Sequence, residues 1–271
     1  MAGPPPIRVA VAGLGAIGLP VAAALDRGIP GCVLVAVSAR DLESARRRIA
    51  TFGKPVPVVP ASELESIAEL VVECAPSAQF QAIVHPFAAA GKTAFALSAG
   101  ALLENFELVE LARDNGGQIV VPTGALVGLD AVSAAAEGKI ESVRLVTRKP
   151  PRSLAGAPYL AARGILVEEA RAPQCVFRGS AREAALGFPA NVNVAAALAL
   201  AGVGPDRTEV EIWADPALSR NQHRIEVEAD AARFTVSIEN VPSENPRTGR
   251  ITPLSVIAAL RKLRGPLRVG T

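Results

Sequence analysis

The chain has 271 residues, 50% apolar and 20% charged, with a formal net charge of +2. That length holds one large domain or two of ordinary size, and the near balance of charge gives no electrostatic case for nucleic acid or an acidic membrane as partner. Three widely spaced cysteines, Cys32, Cys74 and Cys175, lack CxxC spacing and argue against a disulfide framework or a zinc site. Buried free thiols in a reducing cytoplasm, and no metal, are the expectation. No uncharged apolar run reaches the ~18 residues that would mark a membrane span.

The opening MAGPPPIRVA lacks a basic stretch followed by an apolar one, so it reads as a short lead-in rather than a signal peptide. Residues 7–12 (IRVAVA) then form a strand suited to burial on both faces, and the glycines of 13–18 lead into a helix that Gly28 ends. Residues 32–37 make a second strand, 41–50 a polar-faced helix and 56–59 a short third strand. Ser62, with Glu65 three residues on, reads as a capping box for a small helix. Strands at 70–74, 93–98 and 118–121 alternate with helices at 78–90 and 105–114. Six alternations predict a doubly wound parallel sheet of the Rossmann kind.

Beyond this the pattern changes. A strand at 142–148 precedes helices at 181–187 and 191–201, and strands follow at 209–213, 223–228 and 233–239. Their period-two alternation predicts an α+β domain with a mixed or antiparallel, open-faced sheet, covered by helices on one side. The uncovered face suits a second copy of the chain, hence a homo-oligomer. Thr252 as N-cap, Pro253 at the first helical position and Gly265 as the stop delimit a closing helix. Leu254, Ile257, Leu260 and Leu263 are read as its buried face. The division expected is a dinucleotide-binding domain at 1–122, with the closing segment 242–271 packed back on it, and a second domain at 123–241.

Residues 13–18 read GLGAIG, so Gly13, Gly15 and Gly18 satisfy GxGxxG. Gly13 permits the tight turn, Gly15 lets the backbone approach a pyrophosphate, and Gly18 lets the helix pack on the strand. Ala16 and Ile17 bring the free N–H groups of the helix start to the phosphates. NAD enzymes place an acid at the end of the second strand to hold the ribose hydroxyls. Here Ser38 stands near that position, and Arg40 is close enough to pair with a 2′-phosphate, which favours NADP or dual use of NAD and NADP. The opposing reading lets Asp41 take the acid's role and sends Arg40 to solvent. The cluster Arg46, Arg47 and Arg48 reads as a solvated helix face.

Two histidines are present, His85 and His223. His85 reads as a partly buried structural residue. His223 opens a strand and shares parity with Ile225 and Val227, so it points to the covered face, where an imidazole that exchanges a proton near pH 7 would suit acid–base work. Asn191 and Asn193 read equally as helix-start residues or as amide ligands.

The segments 122–151, 176–202, 211–230 and 239–263, with LSAGAL at 97–102, resemble the L-aspartate dehydrogenase family over nearly the whole chain. The resemblance implies interconversion of L-aspartate with oxaloacetate and ammonia through iminosuccinate, His223 as the active-site histidine, and Ala125 and Asn191 beside the nicotinamide. Because iminosuccinate is a precursor of quinolinate, a role in NAD synthesis is open. That family often carries an acid after the second strand, and Ser38 departs from it. A dicarboxylate needs cations, and Arg148, Lys149, Arg163 and Arg247 lie in or near the matched segments, while Thr123 offers a hydroxyl to a carboxylate or cofactor. Two other readings stand beside this one: a dehydrogenase of another small amino, imino or keto acid, and a non-catalytic dinucleotide-binding regulator. His223 and the intact 211–230 segment argue against the latter.

Overall fold

Residues 4–189, 193–243 and 249–270 are described by the computed structural model. They form two units, Met1–Gly124 together with Thr252–Val269, and Ala125–Ile251 together with Gly270–Thr271. Asn191 and Arg247 lie outside the described residues.

In the first unit β1 (Ile7–Ala12) is followed by α1 (Gly18–Arg27), β2 (Cys32–Ser38), α2 (Leu42–Ile49) and α3 (Leu64–Ile67). Then come β3 (Leu70–Glu73), α4 (Phe80–Ala89), β4 (Thr93–Ala96), α5 (Ala99–Glu104), α6 (Glu107–Asp114) and β5 (Gln118–Val120). The strands pair in the order β2-β1-β3-β4-β5, every pair parallel. Val9, Val11, Leu70, Val72 and Phe95 are fully buried between helix layers, which is why these strands read as unbroken apolar runs.

Three local expectations are corrected. The stretch 56–59 is not a sheet strand: it makes an isolated bridge, Val58 beside Val37, with Pro57 O and the Val59 N–H bonded to Val37. Pro55, Pro57 and Pro60 remove the donors a longer ladder needs. Ser62 caps nothing, because it lies within a 3-10 turn (Ala61–Glu63) entered through Pro60, and α3 begins after Glu63. The helix expected at 105–114 starts at Glu107, and the LSAGAL segment forms a separate helix, α5, that ends at Asn105.

In the second unit α7 (Leu129–Ala136) leads into β6 (Ile140–Lys149), then α8 (Pro158–Ala162), β7 (Gln174–Ser180), α9 (Ala181–Gly187) and α10 (Asn193–Ala201). β8 (Thr208–Ala214), β9 (Asn221–Ala229) and β10 (Arg233–Asn240) complete a sheet of order β10-β9-β6-β8-β7. β6 runs parallel to β8 and antiparallel to β9, so the sheet is mixed. β8, β9 and β10 follow in close succession along the chain as expected, but in the sheet β6 lies between β8 and β9. Alternation puts Val143, Leu145, Thr147 and Lys149 of β6 on the buried face with Val210, Ile212, His223, Ile225 and Val227. The opposite face carries cross-strand ion pairs, among them Arg144–Glu209 at 3.1 Å and Arg233–Glu228 at 2.9 Å. α7, α8 and β7 were not among the elements expected from the sequence. Three rings, the buried Phe177 and Phe188 and the half-buried Tyr159, with centroids 5.1 to 5.5 Å apart, pack β7 against α8 and α9.

α11 (Ile251–Arg264) closes the described chain and returns to the first unit, where Val256 and Leu260 are fully buried in the core around β1 and β2. It starts one residue before Thr252, which lies inside the helix rather than capping it. Its buried face is the one expected only in part: Leu260 is buried and Ile257 and Leu263 pack against the core, but Leu254 does not. Positions three apart fall back by 60° per step, so Leu254, Ile257, Leu260 and Leu263 fan across half the helix. Leu254 is 59% exposed, and Pro253, Val256 and Leu260 form the buried stripe. Replacing Leu260 by Ala should lower the unfolding free energy by about 2–5 kcal/mol, and Leu254→Ala by no more than about 0.5 kcal/mol. Urea denaturation checks both, and equal effects would contradict the packing of this helix.

Candidate active site

The glycine turn sits at the carboxyl end of the parallel sheet. Gly13 has φ of +96°, and its N–H donates to Ser38 O at 2.7 Å, which ties the turn to the end of β2. A Cβ on Gly18 would lie 1.8 Å from Gly13 O, so the start of α1 approaches the turn as only glycine allows. Gly15 differs, because a Cβ there would meet nothing within 4 Å. It is exposed, and Ala16 and Ile17 are half-buried beside it. No side chain caps α1 and no acid lies in its first turn. Its N–H groups and positive dipole end are left for an anion. The turn therefore fits a pyrophosphate: the space above Gly15 is open and the donors are uncommitted to any cap.

At the end of β2 the Ser38 side chain is buried, while Arg40 and Asp41 are exposed. Asp41 Oδ1 accepts the Ser44 N–H at 2.9 Å and caps α2. That engages the carboxylate in a local bond and leaves Arg40 as the exposed charge one residue nearer the strand. The arginine cluster is more than a solvated face. Arg46 pairs with Glu43, whereas Arg48 Nη1 donates to Leu14 O at 2.6 Å and props the glycine turn.

In the second unit His223 is 3% exposed, and its Nδ1 lies 2.8 Å from Thr147 Oγ1. The β6–β9 register sets these two residues directly opposite, and Lys149, two residues along β6, shares their buried face. Burial, and then the Lys149 ammonium, push the His223 pKa down to about 3. The unliganded imidazole is thus neutral over the physiological range, in contrast to the titration near pH 7 expected from its residue type. Arg148 lies over the Trp213 ring at 5.1 Å and within 3.6 Å of Asp215 Oδ2. Arg163 is exposed and stacks on Tyr159 at 3.7 Å, so its charge is held at an aromatic ring in the second unit. The Ala125 carbonyl accepts a hydrogen bond from Asn240 Nδ2 at 2.9 Å. Thr123 is exposed in the first unit. The structure thus brings His223 and Lys149 together, and it gathers Gly13, Gly15, Ala16, Ile17, Gly18 and Ser38 at one turn. His85 is exposed on α4 rather than partly buried. Of the thiols, Cys32 is buried, while Cys74 and Cys175 are only partly so, and all three are free. Among the described residues, no group of His, Cys, Asp and Glu is arranged to hold a metal ion and no helix is long and apolar enough to cross a membrane.

One residue was missed. Glu73 ends β3 with no exposure, and burial pushes its pKa up to about 7 against four hydrogen bonds that favour its charged form. The available signal was an acid closing the apolar run LVVE, a residue type that is almost never buried without a partner.

A parallel sheet with an open glycine turn at its carboxyl edge defines a dinucleotide-binding protein. A family profile described as "Homoserine dehydrogenase, NAD binding domain" matches residues 13–122, and one described as "Aspartate dehydrogenase, C-terminal" matches 130–263. The L-aspartate dehydrogenase of Bradyrhizobium diazoefficiens is 59% identical over 265 residues, which cover 98% of this chain and 94% of that one. L-aspartate dehydrogenase 3 of Bordetella bronchiseptica is 56% identical, with 98% of each chain covered. The crystal structure of aspartate dehydrogenase from Thermotoga maritima shares the fold with a TM-score of 0.74, at 23% identity and with 97% of this chain and 99% of that chain covered. The chain belongs to the L-aspartate dehydrogenase family.

The depressed pKa of His223 has a measurable consequence. The unfolded chain takes up this proton near pH 6.5 and the folded chain only near 3, so stability is complete above 6.5 and is lost as pH falls through that window. At pH 5 the loss from this group is about 2 kcal/mol. Glu73, raised from 4.5 to about 7, acts in the opposite sense between those values. Denaturation of wild type and His223→Gln at pH 7.5 and pH 5 isolates the histidine, since the variant should lose less stability on acidification. Equal losses would contradict a neutral buried imidazole.

Proposed function

We propose that the chain oxidises L-aspartate with NAD or NADP to oxaloacetate and ammonia through iminosuccinate, and that it runs the reverse amination. The observation that carries this reading is the buried His223–Thr147 pair with the Lys149 ammonium on the same face. A purely structural sheet face has no use for three polar groups at adjacent positions.

A bound nicotinamide dinucleotide supplies the hydride acceptor for the substrate Cα. The chain's own residues manage charge and protons. Lys149 offers its positive charge to a substrate carboxylate, with Arg148, Arg163 and Thr123 as further candidates from the sequence. A dicarboxylate beside Lys149 offsets that residue's share of the His223 pKa depression, which comes after the larger share from burial, and so raises its basicity. With Nδ1–H donated to Thr147 Oγ1, the Nε2 lone pair takes a proton from water as the water oxygen attacks the imine carbon. The resulting imidazolium returns a proton to the nitrogen, and as the C–N bond breaks to release ammonia the C–O bond becomes the oxaloacetate carbonyl, its hydroxyl proton passing back to Nε2. Gly13, Gly15, Ala16, Ile17 and Gly18 hold the pyrophosphate, Ser38 and Arg40 the adenosine ribose or its 2′-phosphate, and Ala125 and Asn191 the nicotinamide. The unit Ala125–Ile251, close to the 123–241 expected from the sequence, supplies the substrate and oligomerisation surfaces. The ion-paired open face of its sheet meets a second copy in a homodimer, and the free thiols suit a cytoplasmic setting.

Absorbance at 340 nm with NAD or NADP and a panel of amino acids tests the substrate. Turnover of L-aspartate is expected, and turnover only of another amino acid would replace it. His223→Ala should lower kcat by about 10²–10⁴-fold with cofactor affinity unchanged, and near-normal kcat would remove His223 from the mechanism. Arg40→Ala should weaken NADP more than NAD, whereas equal effects would show that Arg40 does not read the 2′-phosphate.

A further inference from the structure

Glu73 is absent from the proton steps above, yet it is the most completely enclosed acid that the structure describes at the edge where a dinucleotide binds. It closes β3, the central strand of the five, and its backbone stands opposite Ala12 on one side and Ala96 on the other. Its Oε1 accepts the Ala75 N–H at 3.1 Å and the Ser98 hydroxyl at 3.0 Å. Its Oε2 accepts the Leu97 and Ser98 N–H groups at 3.2 and 3.0 Å. One carboxylate thereby binds the turn after β3 to the turn after β4. The next residue joins the third turn, because Cys74 N donates to Ala12 O at 2.8 Å and Gly13 packs against the Cys74 carbonyl. Among the described residues these donors are its hydrogen-bonding partners, and the ion pairs do not include it. An apolar side chain would cost far less to bury at this position.

Topology says what lies above these turns. The adenosine ribose is held at the end of β2 and the pyrophosphate at α1. In the order β2-β1-β3-β4, the remainder of an extended dinucleotide runs over the ends of β3 and β4. Those are the two turns that Glu73 ties together.

We propose that Glu73 is a positioning residue for the nicotinamide half of the dinucleotide, its carboxylate fixing the turns after β3 and β4 in the shape which that half requires. The proposal rests on dinucleotide binding by this unit and not on aspartate as the substrate. Glu73→Gln keeps the volume but turns an NH2 group toward N–H donors, so at least one of the two turns is released. Binding of NADH and NADPH is compared with that of ADP-ribose and its 2′-phosphate, which lack nicotinamide. The whole dinucleotide should bind about tenfold more weakly, while the nicotinamide-free probes change by less than about twofold. Ser98→Ala removes the hydroxyl bond alone and should give a smaller loss with the same selectivity, so it decides the matter if Glu73→Gln does not fold. Equal weakening of both kinds of ligand, or no weakening, overturns the proposal. Failure of the wild-type chain to bind any dinucleotide overturns the dinucleotide reading with it.

Discussion

A Cβ on Gly18 would stand 1.8 Å from one carbonyl oxygen, and a Cβ on Gly13 would stand 2.6 Å from another. Three stretches of backbone thus meet at the carboxyl edge of the first sheet with no side chain between them. This close approach governs what surrounds it. It draws the start of α1 onto the sheet, leaves the helix N–H groups facing the space above Gly15, and brings the turn after β3 under the glycine loop. The fold then adds supports from a distance. Ser38 O accepts the Gly13 N–H, Arg48 holds the Leu14 carbonyl, and Glu73 ties the neighbouring turns. Each support comes from a different element, so the anion site is a product of the sheet order and not of the glycine motif alone.

The second unit solves a different problem. Its sheet is covered on one face, and polar groups on that face are costly unless they bond to one another. The β6–β9 register meets that condition for His223 by setting Thr147 across from it. The same register brings Lys149 close enough to shift the imidazole. Burial sets the larger part of the shift at the histidine, and a strand far from it in sequence adds the rest.

Legibility in the sequence followed the range of the interactions. β1, β2 and α1 were readable because an apolar run, a glycine turn and a helix stop are local signals. The period-two strands placed His223 on the covered face for the same reason. What depended on distant partners was not readable. The insertion of β6 between β8 and β9 separates strands adjacent in the chain, and the share of the His223 pKa shift that comes from Lys149, after the larger share from burial, depends on that pairing. β7, with its sequence QCVFRGS, lacks clean alternation because a register shift between Cys175 and Phe177 breaks the pleat. Prolines converted the apparent strand at 56–59 into an isolated bridge, and the drift of three-residue spacing misplaced Leu254. Glu73 escaped notice because strands buried on both faces carry no polar alternation against which an acid stands out.

The central claim is that hydride leaves the Cα of L-aspartate for the nicotinamide of a dinucleotide whose pyrophosphate is held at the glycine turn. L-aspartate carrying deuterium at Cα, incubated with the protein and NAD or NADP, tests it directly by mass spectrometry of the reduced cofactor. The account predicts reduced dinucleotide one mass unit heavier than with ordinary aspartate, together with oxaloacetate and ammonia in equal amounts. Reduced cofactor without the label, or label retained in unreacted aspartate while another amino acid is consumed, would contradict it.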